Sequence, residues 1–180
     1  IKRDMPYYQA RFHKVLSDKL IDLGYRIRRT KTAFEIVGVP QPVIDLFSKR
    51  TDAIERIAQE LGLTAPKDLD ALGARTRARK QKGLTMPDLK AAWRKQIFAM
   101  GMNGKGEGEQ AIRFASRTET VPLTPQHCVD HALSLRFERA SVMPDRRILE
   151  SAYRHSLGHA GVTVEGITAA FRADQRILTI

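Results

Sequence analysis

Five histidines, one cysteine and two adjacent tyrosines are the side chains of this 180-residue sequence best suited to making or breaking bonds. His127 and His131 lie four apart, as do His155 and His159, a spacing at which two imidazoles on one helix could ligate a metal ion. Neither pair has the glutamate beside its first histidine that a zinc hydrolase would use as a base, and no third ligand is near in sequence. His159 also follows Gly158, which takes it off the helix carrying His155. Surface or capping roles suit these histidines better than a metal site. Cys128 needs a base or cation nearby to become a thiolate; in an amphipathic helix it reads as a small core residue. Tyr7 and Tyr8 could attack a DNA phosphate only as phenolates. A phenol with a pKa of about 10 needs a metal or base for that, and no carboxylate–histidine cluster is in reach. They read as packing groups in a first helical turn. Gly101-Met-Asn-Gly104-Lys105 hints at a phosphate loop, but has two residues between its glycines where that loop needs four, and Lys105 precedes Gly106.

What remains is charge. The chain has 31 Lys+Arg against 20 Asp+Glu, a formal net charge of +11. Residues 1–30 carry +5, residues 31–70 carry −2, residues 71–99 carry +7, and residues 100–180 only +1. The densest run, Arg75-Thr-Arg77-Ala-Arg79-Lys80-Gln-Lys82, is followed by Lys90, Arg94 and Lys95 around the only tryptophan, Trp93. Clustered cations are the footprint of a polyanion binder, and Trp93 is the one candidate for base stacking. Its place between Leu89 and Ile97 on a helical stripe favours a core role instead.

Several elements must position these residues. Phe12, Val15, Leu16, Leu20 and Leu23 form the stripe of a helix over 6–23, ended by Gly24. Alternation at Tyr25–Arg28 and Phe34–Gly38 predicts a β-hairpin, with Arg29, Thr30, Lys31 and Thr32 between its strands. One long helix is expected over 42–61, with a stripe from Val43 through Phe47 and Ile54 to Leu61. Another starts at Pro66, with acids first and bases last, an order that suits the helix dipole. Thr85-Met-Pro-Asp88 has capping-box logic for a helix reaching Met100. Four glycines from Gly101 to Gly108 mark a linker over 101–123. Helices are expected at 125–138, 145–157 and 163–174, followed by a strand at 176–180, a winged-helix-like order. The fold class is therefore α+β, predominantly α-helical.

The composition, 42% hydrophobic and 28% charged, is that of a globular chain. No apolar run approaches membrane-spanning length, so no membrane insertion is expected. A single cysteine fits a reducing compartment such as the cytoplasm. The start at Ile1 and the strand-like end, Arg176-Ile-Leu-Thr-Ile180, read as a segment of something longer.

Asp4-Met-Pro-Tyr-Tyr-Gln-Ala-Arg-Phe-His13, Leu20-Ile-Asp-Leu-Gly-Tyr25, Phe34-Glu-Ile-Val-Gly-Val-Pro40 and Val43-Ile-Asp-Leu-Phe-Ser-Lys-Arg50 together resemble the MobF-type (TrwC-like) conjugative relaxases. Leu72–Lys82 with Leu89–Arg94 is similar to the end of that relaxase domain, and 126–180 resembles the lead-in to the helicase part. The resemblance implies a bacterial parent that nicks one plasmid strand, stays attached to it through a tyrosine, and travels with it through a type IV secretion system. A divalent metal and ATP serve the nicking and helicase parts of such a parent. The family's nucleophilic tyrosines and three-histidine cluster match nothing here, and no Walker motif is present, so no cofactor is expected in this chain. Tyr7 and Tyr8 align with a helix beyond the histidine cluster. The implied division is the end of a relaxase domain over 1–100, a linker over 101–123, and a helical module over 124–180. The family fold would pack the first helix and hairpin on a sheet this chain lacks, leaving the apolar face of 1–60 incompletely covered.

The expected function is electrostatic binding of DNA, as a single strand, through Arg75, Arg77, Arg79, Lys80, Lys82, Lys90, Trp93, Arg94 and Lys95. The alternative is a recognition module for a type IV secretion coupling protein, without DNA affinity of its own. An unrelated RNA-binding domain would need aromatic-rich strands that are not present.

Overall fold

A computed structural model describes residues 2–77, 83–101 and 122–177. The chain forms two compact units, one of Ile1–Gly38 with Glu107–Ile180 and one of Val39–Gly106. This grouping differs from a division near residue 100, because the first helix packs chiefly on helices that follow residue 122.

The first unit begins with a 3-10 turn, Lys2–Asp4, and helix α1, Met5–Asp22, with Pro6 in its first turn. Gly24, at φ +93, lets the chain reverse into the hairpin. Strands β1 (Ile27–Arg29) and β2 (Phe34–Ile36) pair antiparallel, with Ile27 opposite Ile36 and Arg29 opposite Phe34. Three helices follow in the same unit: α6 (Pro125–Phe137), α7 (Asp145–His155) and α8 (Val164–Ala173). Thr124 and Thr163 cap α6 and α8, their hydroxyls accepting the N–H groups of His127 at 3.1 Å and Gly166 at 3.0 Å. The expected strand at 176–180 is not seen where the residues are described: Arg176 lies in a turn whose N–H donates to the Asp174 carboxylate, and 178–180 fall outside the described residues.

The core of this unit is a single cluster in which Cys128, Val129 and Ala132 of α6 meet Ile148, Ala152 and Tyr153 of α7 and Ile167 and Phe171 of α8. Helix α1 joins through Ala10, and the Tyr153 hydroxyl is paired with that of Thr168 at 2.7 Å.

Helix α1 buries an unexpected face. The stripe read as its inner side lies largely outside: Phe12 is 62% exposed and Leu23 54%. The buried residues are Ala10, Lys14, Ser17 and Ile21. A buried lysine is costly unless its charge and donors are matched. Lys14 Nζ donates to Asp18 Oδ1 at 2.5 Å and to the carbonyl of His159 at 3.0 Å. Ser17 Oγ accepts the N–H of Gly158 at 3.2 Å. Gly158, at φ +87, has no room for a side chain: a Cβ there would lie 3.1 Å from the carbonyl oxygen of Ile27.

The second unit contains helices α2 (Gln41–Phe47), α3 (Lys49–Glu60), α4 (Pro66–Arg75) and α5 (Met86–Ala99). The single helix expected over 42–61 is broken at Ser48, whose N–H takes the Asp45 carbonyl three residues back at 3.1 Å and closes α2. Serine competes for backbone partners and suits a helix end better than an interior. Among the described residues, the buried apolar side chains of this unit are Ala58 and Leu72, at the contact of α3 with α4. Among the described residues no helix is long and apolar enough to cross a membrane.

Candidate nucleic-acid interface

The basic run follows from how α4 ends. Thr76 closes that helix, its hydroxyl donating to the Leu72 carbonyl at 2.8 Å. Arg75 occupies the last turn, where a cation also favours the helix dipole, and Arg77 follows; both are exposed. Arg79, Lys80 and Lys82 lie outside the described residues. Helix α5 then starts on a complete capping box. The Asp88 carboxylate accepts the Thr85 N–H at 2.9 Å, and the Asp88 N–H reaches the Thr85 hydroxyl at 3.4 Å. The Thr85 hydroxyl donates to the same carboxylate at 2.5 Å, and this bond first, then the one from the Thr85 N–H, lowers the Asp88 pKa from its ordinary value.

With that start fixed, Lys90, Trp93 and Arg94 stand at i, i+3 and i+4 and share one face of α5. Lys95 is turned about 100° from Arg94 around the helix axis. Trp93 is 41% exposed, against the core role its spacing favours. The reason is packing: among the described residues none of α5 is buried, and its Leu89–Trp93–Ile97 stripe is at most half-buried. An indole flanked by two cations on an open helix face can stack on a base while its neighbours hold phosphates. Among the described residues, none of Arg75, Arg77, Lys90, Arg94 and Lys95 forms an ion pair.

The other candidate side chains have different work. The histidines do not pair as their spacing suggests. His131 of α6 instead stacks on His155 of α7, ring centroids 3.8 Å apart and planes 20° from parallel. Arg29 Nη1 lies 3.2 Å from His155 Nδ1 and donates to the His155 carbonyl at 3.3 Å. Burial, then the neighbouring His131, Arg29 and His159, lowers the His155 pKa to about 4. Burial followed by Lys14 and Arg29 lowers that of His159, and burial followed by Arg154 lowers that of His13. Cations in these positions oppose a metal ion. Among the described residues no group of three or more His, Cys, Asp or Glu is placed to hold one. The divalent metal of the family's nicking centre does not fit the residues present.

Cys128 is fully buried, and burial pushes its thiol up to about 11, so it stays protonated and serves as core. Tyr7 packs on Tyr153, ring centroids 5.9 Å apart, and on Tyr8 at 5.1 Å. The Arg146 guanidinium lies 5.8 Å from the Tyr7 ring centre and 5.6 Å from that of Tyr8, while its other contact is an ion pair with Asp4. The tyrosines thus bind the start of α1 to the start of α7.

No curated protein and no solved structure matches the chain. Residues 1–100 match the family described as TrwC relaxase. The match runs from the turn before α1 through α5, so it takes in the hairpin and every described residue of the basic surface. It spans more than half of the 180 residues, and on that ground the chain belongs to the TrwC relaxase family.

Proposed function

We propose that this relaxase-family chain holds single-stranded DNA on the basic surface that runs from the end of α4 along α5. The observation that carries the reading is the combination, on one exposed helix face, of a half-open tryptophan and cations that form no ion pair among the described residues. Phosphates are held by Arg75, Arg77, Lys90 and Arg94, with Arg79, Lys80, Lys82 and Lys95 extending the electrostatic field, and Trp93 stacks on a base. Strand cleavage and ATP-driven unwinding, with the metal and ATP they need, belong to other parts of a bacterial cytoplasmic parent protein. Neutralising about six phosphates gives a slope near −4 for log K against log[salt] on a single strand.

The test is fluorescence anisotropy of a labelled oligothymidine titrated with the whole chain at several salt concentrations. Reversing Arg75, Arg77, Lys90 and Arg94 to Glu should weaken binding by more than about 100-fold and flatten the slope by about 0.7 for each phosphate no longer held. Trp93→Ala should cost about 1–3 kcal/mol with the slope unchanged. Unchanged affinity in the reversed variant would sink the reading. A second reading is a docking surface for a type IV secretion coupling protein. It is favoured by exposed apolar side chains on the same helix, Met86 at 57% and Phe98 at 68%. DNA-independent binding to that protein, with no affinity for the oligothymidine, would select it.

A further inference from the structure

The unit of residues 1–38 and 107–180 contains its own cationic recess. A cavity of about 290 Å³ opens between the β1–β2 turn and helices α6 and α7. Its walls carry Arg29 and Lys31 from the turn, His131 and Arg136 from α6, and Arg154 and His155 from α7. Among the described residues no carboxylate lines it. The turn itself is tied by two bonds, Thr30 N–H to the Ala33 carbonyl at 3.0 Å and Ala33 N–H to the Thr30 hydroxyl at 3.1 Å.

Behind the wall lies Glu150, 3% exposed. Its carboxylate reaches Arg154 at 3.2 Å, Arg147 at 3.4 Å and Arg136 at 3.7 Å. One carboxylate therefore orients three guanidinium groups, of which Arg136 and Arg154 line the recess and Arg147 lies outside it, so the two recess guanidiniums are not fully neutralised. Arg136 is further fixed by donating from Nε to the Ser151 hydroxyl at 2.6 Å. Arg29 is aligned by His155, a neutral partner, and Lys31 is exposed with no ion pair among the described residues. Cations held in position but not neutralised repel one another, and an anion entering the recess relieves that repulsion at little further ordering cost. Guanidinium groups are also the side chains best matched to phosphate oxygens.

We propose that this recess binds one phosphate-bearing unit of a nucleic-acid strand, with the phosphate held by Arg29, Lys31, Arg136 and Arg154. The volume favours a strand over a free ion. It lies just below the usual range for small-ligand clefts, about 300–1,000 Å³, and exceeds what one phosphate fills. Leu135 and Leu157 and the stacked imidazoles add apolar wall against which a sugar or base can lie. The depressed proton affinity of His155, caused first by burial and then by its cationic neighbours, is consistent with a positive field there. The recess is a contact separate from the α4–α5 surface. Four of its six named residues lie beyond the family-matched stretch.

The experiment uses the whole chain and a labelled oligothymidine. Arg29→Gln with Lys31→Gln should weaken binding about tenfold and flatten the salt slope by about 1.4, two single-strand phosphate contacts. Lys31→Gln alone, at an exposed side chain, should show about half the slope change and guards against a folding artefact. In parallel, the ring resonances of His131 and His155 should move as the strand is added. They should still move, at higher strand concentration, in the variant reversed at Arg75, Arg77, Lys90 and Arg94. Wild-type affinity and slope in both glutamine variants would overturn the proposal. So would inorganic phosphate alone producing the full ring shifts with no further change on adding the strand, which would make the recess a free-phosphate site.

Discussion

In the unit of residues 1–38 and 107–180, Arg28, Arg136, Arg146, Arg147, Arg154 and Arg176 each reach a carboxylate. In the unit of residues 39–106, the described cations of α4 and α5 reach none. The same contrast holds for apolar side chains. Both units leave large apolar side chains exposed, but the first closes a core around Tyr153, Ile148 and Ile167, while the described buried apolar side chains of the second are Ala58 and Leu72. Arginine alone is therefore a poor indicator of a binding surface. What distinguishes the cations of α4 and α5 is that none pairs with a carboxylate among the described residues, and what distinguishes the Arg29 recess is that Arg136 and Arg154 on its wall share one carboxylate, Glu150.

The most forceful way to break this comparison is to remove a large side chain from each unit. Tyr153→Ala should cost about 3–5 kcal/mol, through reduced burial and a residual cavity, while the Thr168 hydroxyl keeps its bond to the Val164 carbonyl at 2.7 Å. Leu61→Ala, at a residue 60% exposed, should stay within about 0.5 kcal/mol. Chemical denaturation of the two variants measures both, and equal losses would abolish the distinction.

Acid should separate the units less strongly. All five histidines lie in the first unit. His13, His155 and His159 bind a proton less readily folded than unfolded, so the unfolded chain takes up more protons below about pH 6.5. Stability of that unit should fall as pH drops from about 6.5 towards 4, and the His155 contribution should level off below about 4. Melting curves at pH 7 and 4.5 test the sign, and His155→Gln should flatten the difference. A melting temperature that rises on acidification would contradict the burial of these rings.

The smallest effect belongs to the second unit. Thr85→Ala removes the cap of α5 and should cost about 1 kcal/mol, seen as reduced helical circular dichroism with the first unit's melting unchanged.

Local chemistry made much of this fold legible. The Thr85–Asp88 capping box, the stops at Gly24 and Gly158, the hairpin itself and the start of α6 at Thr124–Pro125 all depend on residues within a few positions of one another. What stayed hidden depends on distant partners. Ala10, Lys14, Ser17 and Ile21 do not look like a buried face until His159 and Gly158 supply an acceptor and a donor from the far end of the chain. His131 and His155 sit on different helices, so spacing along either helix cannot reveal their stacking. Trp93 sits on an apolar stripe, and nothing in that stripe announces that α5 lacks a cover. The recess had one visible signal, the excess charge of residues 1–30, but its other walls come from α6 and α7.

The seat of α1 also bears on how such proteins are divided. Lys14 and Ser17 are matched by residues 158 and 159, so a helix inside the family-matched stretch is completed by residues beyond it. A polypeptide cut at residue 100 would turn a satisfied ammonium and hydroxyl toward solvent and strip Ala10 of the core it packs into. The stretch that a lineage carries as a recognisable module and the stretch that holds itself together here have different seams.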